Sequence, residues 1–138
     1  MRVVADTNVL VSAFLWSGIP HKLLPAAETG RITLYASPAL IEELASVLSR
    51  KKFTDRLRAL QVTDEELIVG YLKLAHLILP QPIPPVIKED PEDDAVLACA
   101  LAARAAYLIT GDLHLLRLCT YHAIHIVSPR TFFSTMLP

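Results

Sequence analysis

Only two cysteines occur in the chain, Cys99 and Cys119. Two thiols build no disulfide framework, so both are expected as buried free thiols of a reducing, cytoplasmic environment. Neither sign of charge dominates, the formal net charge being -1. The basic excess that usually marks a nucleic-acid binder is therefore missing. No aromatic-rich stretch reads as a platform for a single strand. No apolar run reaches the ~20 residues that cross a bilayer, because Arg31, Glu42 and Glu43 interrupt the best candidates. Nor is there a basic segment followed by an apolar signal core, since Asp6 and Asn8 break it. No internal repeat is visible.

What is abundant is apolar residues, 53% of 138. That is enough for one large core in one domain spanning residues 1–138, with apolar surface left over for a partner. Prolines gather in LPQPIPPVIKEDPEDD, residues 79–94, and rule out a continuous helix there. This stretch reads as a connection inside the domain, with a short strand at Val86 and Ile87.

The rest alternates. Strands are expected at Arg2–Ala5, Ile32–Ala36, Tyr107–Thr110 and Ile124–Val127. Helices are expected over 8–15, 20–29, 38–49, 64–79 and 92–105, with a short one after Pro129. Gly30 reads as a helix stop. Ser37 and Thr63 read as N-caps, with Pro38 in a first turn. This alternation predicts an α/β fold: a central, mainly parallel sheet with helices on both faces.

Ligands gather beyond the carboxyl ends of parallel strands. In VVADTNVLVS a strand ends on Asp6, and in YLITGD another leads to Asp112. Each alone reads equally as a helix N-cap. Two on separate strands can converge. In SPALIEELASVL the apolar stripe of Leu40, Ile41, Leu44, Val47 and Leu48 leaves Glu42 opposite and Glu43 on its edge. In DPEDDAVLACAL, Asp93 falls on the side of the buried stripe and Asp94 about a quarter-turn away. Glu89, Asp90 and Glu92 read as a solvated helix start, where the helix dipole favours acids.

Asp6, Glu43, Asp93 (or Asp94) and Asp112, brought together, would repel one another. Either one carboxyl is protonated at neutral pH or a cation is present. Oxygen ligands select Mg²⁺ or Mn²⁺, and no Cys/His zinc pattern competes. Such a site suits phosphoryl chemistry. His122 and His125, beside the last strand, are expected to be structural.

The blocks VVADTNVLVSAF, SPALIEELASVL and DPEDDAVLACALAARAAYLITGDLHLL resemble, in order and spacing, those of PIN-domain ribonucleases. The resemblance covers essentially the whole chain. It implies a Mg²⁺- or Mn²⁺-dependent endoribonuclease with Asp6, Glu43, Asp93 and Asp112 as acidic residues. Asn8 and Thr110 match polar positions near the metal. For the third acid, one form of the family's motif selects Asp93 and another selects Asp94. Many bacterial and archaeal members look like toxins of toxin–antitoxin pairs, of the VapC kind. That implies an RNA substrate, a small antitoxin partner and a homodimer, with Leu57, Leu60 and Val62 as candidate contacts. Arg50, Lys51 and Lys52, in RKKFTDRLR, are the densest candidates for RNA phosphates, or equally a solvated helix end. Two rivals are a non-catalytic PIN-fold binding module and a magnesium-dependent phosphatase using Asp6 as nucleophile. Asn8 counts against the phosphatase, which usually has a second Asp there.

Overall fold

The computed structural model describes residues 1–87 and 90–137. Glu89 lies outside the described residues. The β-branched run near the N-terminus forms β1 (Arg2–Ala5). Asp6 accepts the Asn8 N–H and caps α1 (Thr7–Leu15), a helix buried on nearly every side. A 3₁₀ turn at Ile19–Lys22 leads into α2 (Leu23–Glu28). Gly30 follows with φ of 79°, the left-handed turn a side chain would strain. Next come β2 (Thr33–Ala36) and α3 (Pro38–Leu48), which Ser37 caps through the Leu40 N–H.

A 3₁₀ turn at Lys51–Phe53 and a helix, α4 (Thr54–Leu60), fill a stretch in which no element was expected. α5 (Asp64–Leu74) opens with a capping box between Thr63 and Glu66. It stops five residues short of the expected end. Ala75 turns extended, and β3 (His76–Leu77) pairs with β2. The short apolar run after Leu74 fits helix or strand by pattern alone, and the open sheet edge decides it. Val86 and Ile87 form no strand. Their N–H groups instead donate to Oδ1 of Asp94, at 3.1 and 2.9 Å. α6 (Pro91–Ala102), β4 (Tyr107–Ile109) and α7 (Leu113–Leu118) follow. The chain closes with β5 (Thr120–Tyr121), β6 (Ile124–Val127), α8 (Pro129–Thr131) and a π-turn at Phe132–Met136.

The six strands form one sheet in the order β3-β2-β1-β4-β6-β5, parallel except for the β5–β6 hairpin. Successive β1 side chains serve opposite faces. Val3 and Ala5 join the core with Leu10, Leu44 and Tyr71, whereas Val4 joins Leu97, Leu108 and Leu115. Burying each of these valine and leucine side chains stabilises the fold by about 1.5–3 kcal/mol. The expected three-layer arrangement is therefore present, with β1 at its centre.

Some surface expectations need correction. Cys99 is buried, but Cys119 is exposed, because it leaves α7 at φ 60° to enter the edge hairpin. Leu57 packs against the core, while Leu60 is exposed and Val62 half-buried. His125 lies against the Tyr107 ring at 5.6 Å, and His122 occupies the hairpin turn at φ 53°. Among the described residues no helix is long and apolar enough to cross a membrane.

Candidate active site

β1 is where the strand order reverses: β2 lies on one side and β4 on the other. The crevice beyond their carboxyl ends is the usual ligand position of such sheets. Asp6 leaves β1 there. Its N–H donates to the Ile109 carbonyl at 3.0 Å, continuing the sheet one step past Ala5. Thr110, fully buried, leaves β4 beside it. The Thr110 hydroxyl donates to Asp6 Oδ2 and accepts the Asp112 N–H. One hydroxyl thus locks two acids on adjacent strands. Asp112 caps α7 through the His114 N–H at 2.7 Å.

The helices supply the opposite walls. Glu43 on α3 is half-buried, and its Oε2 accepts the Thr7 hydroxyl at 2.9 Å. Glu42, on the outer side, is exposed. At the start of α6, Asp93 is 5% exposed, and its Oδ2 has no hydrogen-bond partner among the described residues. Asp94 is not among the described residues lining this cleft; its Oδ1 accepts the loop amides of Val86 and Ile87.

Together Asp6, Asn8, Glu43, Asp93 and Asp112 line a cleft of about 160 Å³. Asp90 and Glu92 line it too, and Arg50 adds a cation to its wall. Asp90 also caps α6, through the Glu92 N–H. A larger cavity of about 390 Å³, between Lys22, Arg31 and Phe133, contains none of these carboxylates. Size alone therefore does not locate the chemistry.

The crowding is visible in the acidities. Burial, followed by repulsion from Asp112 and Asp90, pushes the Asp93 carboxyl up to about 7. Burial raises Asp6 as well, against the opposing hydrogen bonds from Thr110 and Asn8. Glu43 is raised by burial and then by Glu92. Isolated carboxylates do not settle at such a density without a proton or a cation. Ligand atoms of Asp93, Asp112 and His114 lie within 4.8 Å of one another. Hard oxygens, one nitrogen and a buried carboxylate oxygen without a partner among the described residues fit a divalent cation.

Some participants were not read from the sequence. Thr7 anchors Glu43, and His114 stands with Nδ1 3.8 Å from Asp112 Oδ1. Both lie within two residues of an acid already singled out, and that proximity was the available signal. Lys51 and Lys52 are exposed in the 3₁₀ turn. Arg56, in the same basic run, donates from Nε to the Leu15 carbonyl at 2.6 Å.

Carboxylates converging at the carboxyl edge of a parallel sheet define a site suited to a divalent cation and phosphoryl chemistry. The family model of the PIN domain matches residues 2–114, so the chain belongs to the PIN-domain family. Among solved structures, it is similar to VapBC2 from Rickettsia felis, solved bound to a DNA fragment from its promoter. That likeness has 15% identity and a TM-score of 0.60, and covers 91% of this chain and 97% of the other. It is also similar to the T. brucei RRP44 PIN domain, at 15% identity and TM-score 0.49, covering 99% and 80%. No curated protein matches the chain.

Proposed function

We propose that this protein is a divalent-metal-dependent endoribonuclease that hydrolyses RNA phosphodiester bonds in the acidic cleft. The observation that carries this reading is the buried Oδ2 of Asp93, set among acids that already repel it and without a hydrogen-bond partner among the described residues. Asp6, Asp93 and Asp112 would hold Mg²⁺ or Mn²⁺, with His114 in reach. When bound, such an ion lowers the pKa of water and neutralises phosphate charge in an in-line displacement.

The chain's own residues have separate tasks. Thr110 keeps the Asp6 carboxylate turned into the cleft and holds the backbone of Asp112. Glu43, held by Thr7, positions a water and takes its proton, a role suited to a carboxylate whose basicity burial has raised. Arg50 meets the incoming phosphate, and Asn8, exposed on the cleft wall, contacts the substrate. Family membership and the likeness to VapBC2 support a further reading: a toxin held by a small antitoxin in the cytoplasm, assembled as a homodimer.

Asp6→Asn tests the reading. It keeps shape and capping ability but removes one charge. Mn²⁺ should raise the melting temperature of the wild type, because ligand binding favours the folded state. The variant should lose that shift and its RNA cleavage, while its metal-free stability stays level or rises. A wild type indifferent to Mg²⁺ and Mn²⁺, or a variant that cuts RNA normally, would leave a PIN fold acting as a binding module.

A further inference from the structure

Trp16 is the chain's only tryptophan, and it stands 44% exposed at the end of α1. Its setting is built. Phe53, almost fully buried, meets it edge-to-face, with ring centroids 6.1 Å apart at 66°. The Arg56 guanidinium lies over the indole at 5.8 Å, and its Nε is tied to the Leu15 carbonyl. The Lys52 ammonium lies 5.1 Å from the Phe53 ring. Residues 37 positions apart thus make one aromatic surface with cations around it.

That surface connects to the cleft. Phe53 donates its N–H to the Arg50 carbonyl at 3.0 Å, and Arg50 lines the cleft. Lys51 and Lys52, between Arg50 and Phe53 in sequence, are both exposed. The cleft itself is walled by acids, so it repels a polyanion rather than gathering one. Affinity for a nucleic-acid backbone has to come from cations beside it, and this run is the densest in the chain. An exposed indole adds something a phosphate does not use: a flat face for a base.

Resting on the ribonuclease reading, we infer that Trp16, backed by Phe53 and flanked by Arg56 and, across Phe53, by Lys52, binds single-stranded RNA. An unpaired base stacks on the indole while the cations hold the strand leading to the cleft. A base inside a duplex already has its faces covered, so it cannot stack there. With a rise of ~1.5 Å per residue, the nine residues of α1 put Trp16 about 14 Å from its Asp6 end. Its contribution therefore falls on binding, not on the chemical step.

The single tryptophan makes the test direct. Fluorescence of the full chain is titrated with a single-stranded RNA of about a dozen nucleotides, and with its duplex, in chelator to prevent cleavage. Steady-state cleavage with Mn²⁺ is then measured for wild type, Trp16→Leu and Trp16→Phe. The single strand should quench Trp16 saturably and the duplex should not. Trp16→Leu should raise KM roughly tenfold at nearly constant kcat, with Trp16→Phe in between. RNA bound without quenching, with KM unchanged in Trp16→Leu, overturns the platform and leaves the ribonuclease standing. Equal quenching by the duplex overturns the single-strand preference. Emission that shifts with protein concentration alone places the ring in a protein interface and overturns the inference. No binding and no cleavage of any RNA overturns both readings.

Discussion

The Thr110 hydroxyl donates a 2.6 Å hydrogen bond to Oδ2 of Asp6, across 104 positions of sequence. Because the same oxygen accepts the Asp112 N–H, Thr110→Val would strip two cleft groups of a partner at once. The expected loss is about 1–3 kcal/mol of stability, together with most of the metal-dependent cleavage. Thr110→Ser should retain both. Thermal melts and cleavage rates of the two variants decide it, and a Thr110→Val protein that cuts at the wild-type rate would refute the linkage.

Asp93 gives the fold a pH dependence whose sign is fixed. Its carboxyl is pushed up to about 7 from 3.8, by burial first and by Asp112 next. Between those values the folded chain holds a proton that the unfolded chain has released. Metal-free stability from this group is therefore greatest at the acid end and falls as pH rises toward 7. The raised pKa values of Asp6 and Glu43 act in the same direction. Melts in chelator from pH 4.5 to 8 should show Asp93→Asn gaining on the wild type as pH rises. A constant difference across that range would show that Asp93 does not titrate there.

Adjacent acids should behave oppositely. Asp94→Ala releases the N–H groups of Val86 and Ile87, which should cost about 1–3 kcal/mol but leave the Mn²⁺-induced melting shift intact. Asp93→Asn should abolish the shift at little cost, or with a gain, in metal-free stability. Were Asp94→Ala to lose the metal shift while Asp93→Asn kept it, the two roles would have to be exchanged.

The basic run divides as well. Lys51→Gln with Lys52→Gln should weaken RNA binding and flatten its salt dependence, by about 0.7 in log–log slope for each single-strand phosphate no longer neutralised. Cleavage at saturating RNA should hardly change. Arg50→Gln, which alters the cleft wall itself, should slow cleavage too. Salt titrations of binding beside single-turnover rates separate these effects. An unchanged slope would leave the two lysines as a solvated helix end.

Much of this was legible because strand ends and helix stripes follow simple periods. The central strands, the caps at Ser37 and Thr63, and the inward side of Asp93 all follow from local pattern. What escaped depended on distance in sequence. The pairing of β3 with β2 needed an open sheet edge. Asp94 could be separated from Asp93 only by the loop amides it reaches seven and eight residues back. No aromatic-rich stretch exists, yet Trp16 and Phe53 meet through the packing of α1 against the segment after α3. The exposure of Cys119 followed from a backbone turn that its apolar neighbours concealed.

The register that sets Ala5 against Ile109 has one more consequence. Asp6 and Thr110 each stand one residue past that pair, so their separation is inherited from backbone hydrogen bonding across a parallel ladder. No outer helix face and no loop length enters it. Side chains on those faces can drift far without moving the two groups apart. A lattice of main-chain amides, indifferent to most residue identities, thus serves as the ruler for the cleft.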